Sequence, residues 1–510
     1  MTQIGVETSG INAPRAGARA WLALVVLMLP VLLVSVDNTV LSFALPEIAI
    51  ALAPSGAEQL WIIDAYPLVL AGLLVTMGTL GDRFGRRRML LIGSTGFAAV
   101  SVLAAFAPTA ALLIAARALL GFFGAMLMPS TLSLLRSIFQ NRDQRRMAIA
   151  VWASAFSAGS ALGPIVGGFL LEHFAWGSVF LIAVPVLIPL LIAAPLLVPE
   201  SRDPAPGKID PISIALSMGT MIPVVYAIKA VAVDGVTVYA VLWALLGITM
   251  GWLFVRRQLR AKTPMLDMAL FRRGSFSGAI LVNLLSVVAL VGFLYFVPQH
   301  LQLILGLSPM VAGLALVPGM IAVIVAGLSV VPISRRVRPH VLVPAALAFS
   351  VVGYLLVAFT TAGHGALPLI LAFVVLGIGI GAAETISNEL ILSSAPAAKA
   401  GAASAVSETA YELGAVLGTA VLGGIITAFY RSALVIPDGV PADVSAAARE
   451  TLAGAYTAAQ DLSDPLGSAL WEAAASAFDS GVLVTSLIGA FLVVVAGTIA
   501  AVTLRTTRSH

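Results

Sequence analysis

Apolar residues gather along this chain into runs of about twenty, the length of helix that crosses the roughly 30 Å hydrocarbon core of a bilayer. Fourteen such runs stand out, at 21–43, 59–79, 89–107, 111–134, 148–171, 176–198, 211–229, 237–255, 276–298, 309–331, 341–360, 366–392, 402–428 and 481–504. None alternates apolar and polar residues with the period of two that barrel strands need, so the predicted elements are membrane-spanning helices. Two regions break the rhythm. Residues 199–275 hold two runs framed by the connections PESRDPAPGKIDP and RRQLRAKTP, and residues 429–480 form one long connection. In the latter Pro437, Pro441 and Pro465 alternate with Ala-rich stretches suited to one or two short helices. Residues 1–20 and 505–510 read as short tails. No removable leader is expected, because the first run is long enough to span, contains Asp37 and lacks a small-residue cleavage site after it.

Charge placement tests the spans. Of 28 Lys and Arg residues, 24 fall in connections on one side, including Arg15, Arg19, Arg83, Arg86, Arg87, Arg88, Arg136, Lys208, Lys262, Lys399 and Arg508. Three (Lys229, Arg431, Arg449) are assigned to the other side, and Arg117 lies inside a span. Basic residues accumulate on the cytoplasmic side, so both termini are expected there, with the chain a multi-pass protein of the cell membrane. A net charge of +4 is thereby explained by topology and does not call for a nucleic-acid partner.

Composition agrees: 60% of the 510 residues are apolar and 10% charged, which excludes an ordinary soluble enzyme. There is no cysteine, and the five histidines (His173, His300, His340, His364, His510) make no ligand spacing, so neither a metal nor a cofactor is expected.

An internal repeat appears at a shift of 255 residues. AFSAGSALGPIVGG (155–168) overlays AYELGAVLGTAVLG (410–423), matching Ala155/Ala410, Gly159/Gly414, Leu162/Leu417, Gly163/Gly418, Val166/Val421 and Gly168/Gly423. Coincident glycines four apart point to a duplication. The expected domains are therefore a six-helix bundle at 21–198, a linker with two extra helices at 199–275, and a second six-helix bundle at 276–504. Two related bundles around a central crevice are the architecture of an alternating-access transporter.

The connection after the second run reads GTLGDRFGRRR, in which Gly78 and Gly81 permit close backbone approach, Asp82 can cap or pair, and Arg83 and Arg86 sit at the membrane face. This stretch resembles the signature loop of the major facilitator superfamily. Arg117 with Gly121 (RALLG) resembles its fourth-span motif, and Gly159-x-x-x-Gly163-Pro164-x-x-Gly167-Gly168 resembles the fifth-span motif of its drug:proton antiporters. VDNTVLSFALP (36–46) resembles the first-span motif of the fourteen-helix branch. The resemblance covers the whole chain and is close to actinobacterial dye and fluoroquinolone exporters. It implies an all-α integral membrane protein with the major facilitator fold, two six-helix bundles plus an extra central helix pair, fourteen transmembrane helices in all. It also implies export of quaternary ammonium compounds and cationic dyes, and no enzyme activity.

The residues support that implication separately. Gly159, Gly163 and Gly167 share one helix face that a neighbour can approach, and Pro164 would bend the span. A charge near mid-bilayer costs about 2.5–3.5 kcal/mol on insertion scales and is usually turned toward a cavity. The candidates for carrying protons or a cationic substrate are Asp37, Asp64, Arg117, Glu384, Glu389, Glu408 and Glu412. Glu408 and Glu412 are four apart and share a face, where crowding of like charges and desolvation favour a held proton. Glu384 and Glu389, five apart, point about 140° from one another and are not expected to serve one site. Trp61 and Tyr411 lie near candidate acids and offer faces for a flat organic cation.

None of the four lysines sits in a phosphate-binding loop, and no HExxH is present, which sets aside an ATP-driven pump and a zinc protease. The function read here is proton-driven export of lipophilic cations by a monomer. The alternative is proton-coupled movement of an endogenous solute such as a lipid, peptide or siderophore. The excess of acids over bases within the spans favours the cation. Asp37→Asn is expected to abolish efflux of every cation while the protein still inserts, because so deep an acid answers to function before structure. Efflux assays on membranes matched for the amount of protein check this, and normal export would refute it.

Overall fold

The computed structural model describes residues 15–203, 210–261, 264, 266, 268–360, 365–394 and 400–506. Lys208, Lys262, Lys399, Arg508, His364, His510 and residues 1–14, all invoked above, lie outside the described residues. Among those described, fourteen helices are long and apolar enough to span a membrane. The first six are α1 Ala18–Leu52, α2 Gly56–Phe84, α3 Arg86–Ala105, α4 Ala110–Ile138, α5 Arg142–His173 and α6 Ser178–Leu197. The extra pair is α7 Pro211–Asp234 and α8 Val238–Arg260. The last six begin with α9 Gly274–Gln299, continued by a π-helical turn His300–Ile304. They go on through α10 Pro309–Ser334, α11 Pro339–Thr360 and α12 Leu367–Ser394. Helix α13 runs Ala400–Leu417, passes a π-helical turn Gly418–Gly423 and resumes as Gly424–Ala433, and α14 is Leu466–Thr503.

Most of the helices, though not α6, outrun the apolar windows read from sequence at one end or both, because hydropathy finds only the stretch within hydrocarbon while backbone hydrogen bonding continues past it. Helix α14 starts at Leu466, so the long connection is residues 434–465, not 429–480. It holds two short helices, Ala442–Glu450 and Leu452–Asp461.

Local chemistry sets the helix starts. Ser55 and Glu58 form a reciprocal capping box at α2, Asn141 accepts from two backbone amides at α5, and Asp210 caps α7 ahead of Pro211. Asp210 also accepts two bonds from Arg257 of α8 (2.8 and 3.0 Å), which staples the extra hairpin and holds that carboxyl well below the usual carboxylate range.

Within the first bundle α2 packs on α4, and α1 on α5 and α6; within the second, α10 packs on α12, and α9 on α12, α13 and α14. The two bundles meet where α5 packs on α10 and α2 on α13, and the pair α7/α8 leans on α2 and on α13. The repeated glycines do the same work in both halves. A Cβ on Gly159 would meet Ser35 Cβ at 2.8 Å and the Leu32 carbonyl at 2.9 Å, so α5 touches α1 through bare backbone. A Cβ on Gly414 or Gly418 would meet the carbonyl of Leu284 or Val288 at 2.8 Å, the same contact between α13 and α9. A second face of α5 meets α10, where the Pro164 carbonyl lies 2.3 Å from the Cβ position of Gly313.

Gly78 and Gly81 differ from expectation. Cβ atoms there would find neighbours no nearer than 3.5 and 3.7 Å, so close approach does not require glycine at either position. The glycine that the loop does need is Gly85, at φ +115° and with Glu200 Cδ 2.8 Å from its Cβ position. Asp82 pairs with Arg86 at 2.8 Å, and Arg86 also reaches Ser201 Oγ at 3.0 Å. The loop is thereby fastened to the end of α6, with Arg83 left exposed.

Gly163→Leu is expected to separate α1 from α5, because a Cβ alone would fall 1.8 Å from Thr39 Oγ1. Thermal unfolding in detergent should fall by several degrees with transport lost, and a variant that still turns over would show that the contact only fills space.

Candidate functional site

Arg117 stands at the centre of the first bundle. The absence of a Cβ on Gly121, whose position would lie 2.4 Å from the Tyr66 carbonyl, lets α4 close onto α2. Arg117, one turn away and 2% exposed, then reaches both neighbouring helices. Its Nη1 lies 2.7 Å from Asp37 Oδ2 of α1, and its Nε donates to the Ile62 carbonyl of α2 at 3.2 Å. Its guanidinium covers the Tyr66 ring at 4.6 Å. Asp37 is thus a paired acid.

Asp64 is paired too, by a residue that the sequence reading placed elsewhere. The hydropathy and charge pattern predicts Lys229 in a connection on the opposite side from most basic residues; the structure puts it inside α7, 2% exposed, with Nζ 2.8 Å from Asp64 Oδ2. Hydropathy windows end a span at a charge, whereas a lysine with a carboxylate partner remains within the helix. The ammonium also donates to the Leu60 carbonyl at 3.1 Å and sits 3.8 Å from the centroid of Trp61. Trp61 therefore already faces a cation of the protein itself, and it is absent from the wall of the central cavity.

That cavity, about 680 Å³, lies between the bundles. Its polar wall includes Asn38, Ser42, Asp64, Arg117, Ser157, Glu384, Thr385 and Tyr411, and its apolar wall includes Phe156, Leu294 and Met320. Tyr411 meets Phe156 edge to face at 5.9 Å, joining α13 to α5 across the space. At the end carrying the start of α5 and the finish of α10 the wall is open, with Ser154 and Ser157 exposed and Leu328 70% exposed. At the other end it is shut. There Gly168 abuts Pro309, the amide of Met310 donates to Glu172, and Gln302 donates to the Phe43 carbonyl at 3.1 Å.

The remaining acids separate. Glu384 lines the cavity with one carboxylate oxygen buried and unbonded. Glu389, one and a half turns further on, is exposed. Glu412 is 1% exposed and lies beside Asn38, while Glu408 borders a smaller cavity of about 370 Å³ together with Asp82, Arg86, Arg136 and Trp152. The i,i+4 pair shares a helix face, yet Glu408 borders that cavity while Glu412 is buried beside Asn38. Among the described residues none of Glu384, Glu408 and Glu412 has an ion-pair partner, and no group of three or more acids and histidines is arranged to hold a metal ion. A third cavity, about 480 Å³ between α7, α8 and α13, is lined by alanine and branched aliphatic side chains with Phe429 and offers no ionisable group.

Two bundles of six helices around such a cavity, with buried ion pairs and small-residue helix contacts, are the architecture of a membrane transporter. The family model described as Major Facilitator Superfamily matches residues 27–419, and the chain belongs to that superfamily of transporters. It is 56% identical to the multidrug efflux pump LfrA of Mycolicibacterium smegmatis over 97% of this chain and 98% of that one. It is 36% identical to the methyl viologen resistance protein SmvA of Salmonella typhimurium over 90% of this chain and 93% of that one. Among solved structures, an inward-facing bacterial homologue of the human lysosomal transporter Spinster superposes with a TM-score of 0.67 at 16% identity, covering 96% of this chain and 98% of that one, which shows the shared fold.

Removing one partner of the Arg117–Asp37 pair leaves an uncompensated charge in the membrane, typically about 3–5 kcal/mol. Arg117→Met is therefore expected to lower the unfolding temperature in detergent, and the double variant Asp37→Asn/Arg117→Met to regain most of the loss. A double variant as unstable as the single would mean that Arg117 acts mainly through Ile62 and Tyr66.

Proposed function

We propose that this chain is a proton-driven efflux transporter of the cell membrane, a monomer that exports lipophilic organic cations such as dyes, quaternary ammonium antiseptics and fluoroquinolones. The observation that carries the reading is Glu384, an acid without a basic partner among the described residues, facing a cavity whose wall also offers apolar and aromatic side chains such as Phe156, Leu294, Met320 and Tyr411. Such a wall suits a flat hydrophobic body, and the carboxylate suits its positive charge. Two relatives, a multidrug efflux pump and a methyl viologen resistance protein, support a cargo of this kind, methyl viologen being a dication.

In this reading residues 21–198 and 276–504 are the two moving halves, and the arginine-rich end, with both termini, is cytoplasmic. The state described here then opens its cavity to the cytoplasm. A cation enters, meets Glu384 and Tyr411, and the halves rock about the glycine contacts of α5 and α13 until the cavity opens outside. There a proton neutralises a carboxylate, the cation loses its counter-charge and leaves, and the protonated cavity returns. Glu412, beside Asn38 and the Arg117–Asp37 pair, is placed to hold that proton, and Glu408 to pass it toward the smaller cavity. Sharing of carboxylates between proton and cation couples the two fluxes.

The test is proteoliposomes carrying an imposed pH gradient. Ethidium should move against its concentration gradient, with proton flux stimulated by the dye, and Glu384→Gln should reduce both at least tenfold. Dye movement indifferent to the gradient, or proton flux indifferent to the dye, would sink the antiport reading.

A further inference from the structure

Lys229 belongs to no step of the cycle above, yet its surroundings have a recognisable chemistry. One carboxylate oxygen at 2.8 Å, one carbonyl at 3.1 Å and the face of an indole at 3.8 Å surround its ammonium. Carboxylate, carbonyl and aromatic face are the parts of a binding site for an organic ammonium ion. Here the ion is part of the chain. The carboxylate in question, Asp64, is fully buried yet counts at the same time among the residues that line the central cavity, with Thr419 of α13 beside it. A single negative charge therefore stands between two claimants: the tethered ammonium of α7 on one side and whatever cation enters the cavity on the other.

Resting on the cation-transport reading, we infer that Lys229 is a built-in competitor of the cargo for Asp64. While Lys229 holds the carboxylate, the cavity wall at this point is neutral. An arriving cation gains the Asp64 charge only by loosening Lys229, so its net affinity is the difference between two ion pairs. The arrangement keeps cations from being held too tightly to leave, which a transporter requires. It also gives the extra helix pair a task beyond filling space, since α7 is the helix that brings the competing charge to the seam where α2 and α13 meet. An ordinary structural ion pair, in contrast, would dock α7 onto α2 and leave cargo affinity untouched.

Equilibrium binding of radiolabelled tetraphenylphosphonium to the full-length protein in lipid nanodiscs, at one fixed pH, separates the two. Lys229→Met should lower the dissociation constant at least fivefold, and Lys229→Met/Asp64→Asn should return it to the wild-type value or weaker. Lys229→Arg, which keeps the charge, should bind no more tightly than wild type. In the unmodified protein, saturating tetraphenylphosphonium should raise the rate of Lys229 acylation by a small amine-reactive reagent at least threefold, read by peptide mass spectrometry. That measurement decides the matter if Lys229→Met does not fold. A folded Lys229→Met with unchanged affinity, or a Lys229 whose acylation is unchanged or slowed by the cation, overturns the inference. Wild-type protein that binds no tetraphenylphosphonium at all overturns the cation-transport reading instead.

Discussion

A charge inside a bilayer has no water to turn to, so every ionised side chain there must find its counter-charge and its hydrogen bonds in the protein. Much of this structure follows from that one constraint. Asp37 and Arg117 tie α1, α2 and α4 together, and Asp64 and Lys229 tie α2 to α7. With those four side chains neutralised in pairs, Glu384, Glu408 and Glu412 of the second half are left without a base among the described residues, as is the half-buried Glu47 near the end of α1.

The same lack of solvent explains the glycines. Lipid tails are as apolar as leucine, so helices in a membrane gain little from burying apolar area and hold together by close backbone contact and interhelical hydrogen bonds. Gly159, Gly163 and Gly167 on α5 and Gly414 and Gly418 on α13 provide that contact against α1 and α9. Ser35 and Thr39 add hydrogen bonds to Phe156 and Ser160 across the first of these seams. Both seams run along helices that also face the other half, α5 through Pro164 and Gly168 and α13 through its contact with α2. The π-helical turn at Gly418–Gly423 lies where α13 passes Asp64 and α7, a local widening of the helix that directly adjoins the buried ion pair.

Much of this was legible along the chain, and the part that was not has a common cause. Span number, the pairing of halves, the small-residue face of α5 and the acids inside the membrane are all one-dimensional signals: run length, period and residue type. Arg117 was visible as a charge within a span, although its choice of Asp37 over the other acids was not, since the two lie 80 residues apart. Lys229 was misplaced because a hydropathy window treats every charge as an edge. Gly85 went unnoticed beside Gly78 and Gly81 because a positive φ and a carboxylate arriving from Glu200 leave no trace in the local sequence. Trp61 was rightly placed near an acid, but its ring had already been taken by an ammonium from another helix.

What the sequence by itself determined is the solvent and the scaffold: fourteen apolar runs admit no medium but a bilayer, and a repeat at 255 residues admits few architectures other than two related bundles. Only the tertiary structure decided which charges cancel and which remain. That decision depends on distances of 3–4 Å between side chains far apart in the chain, because Coulomb energies in a low-dielectric interior change by several kcal/mol over such distances. Glu408 and Glu412 illustrate the difference. Their spacing set them on one face of one helix, but the helices packed against that face gave one carboxylate to the arginine-lined cavity and buried the other beside Asn38.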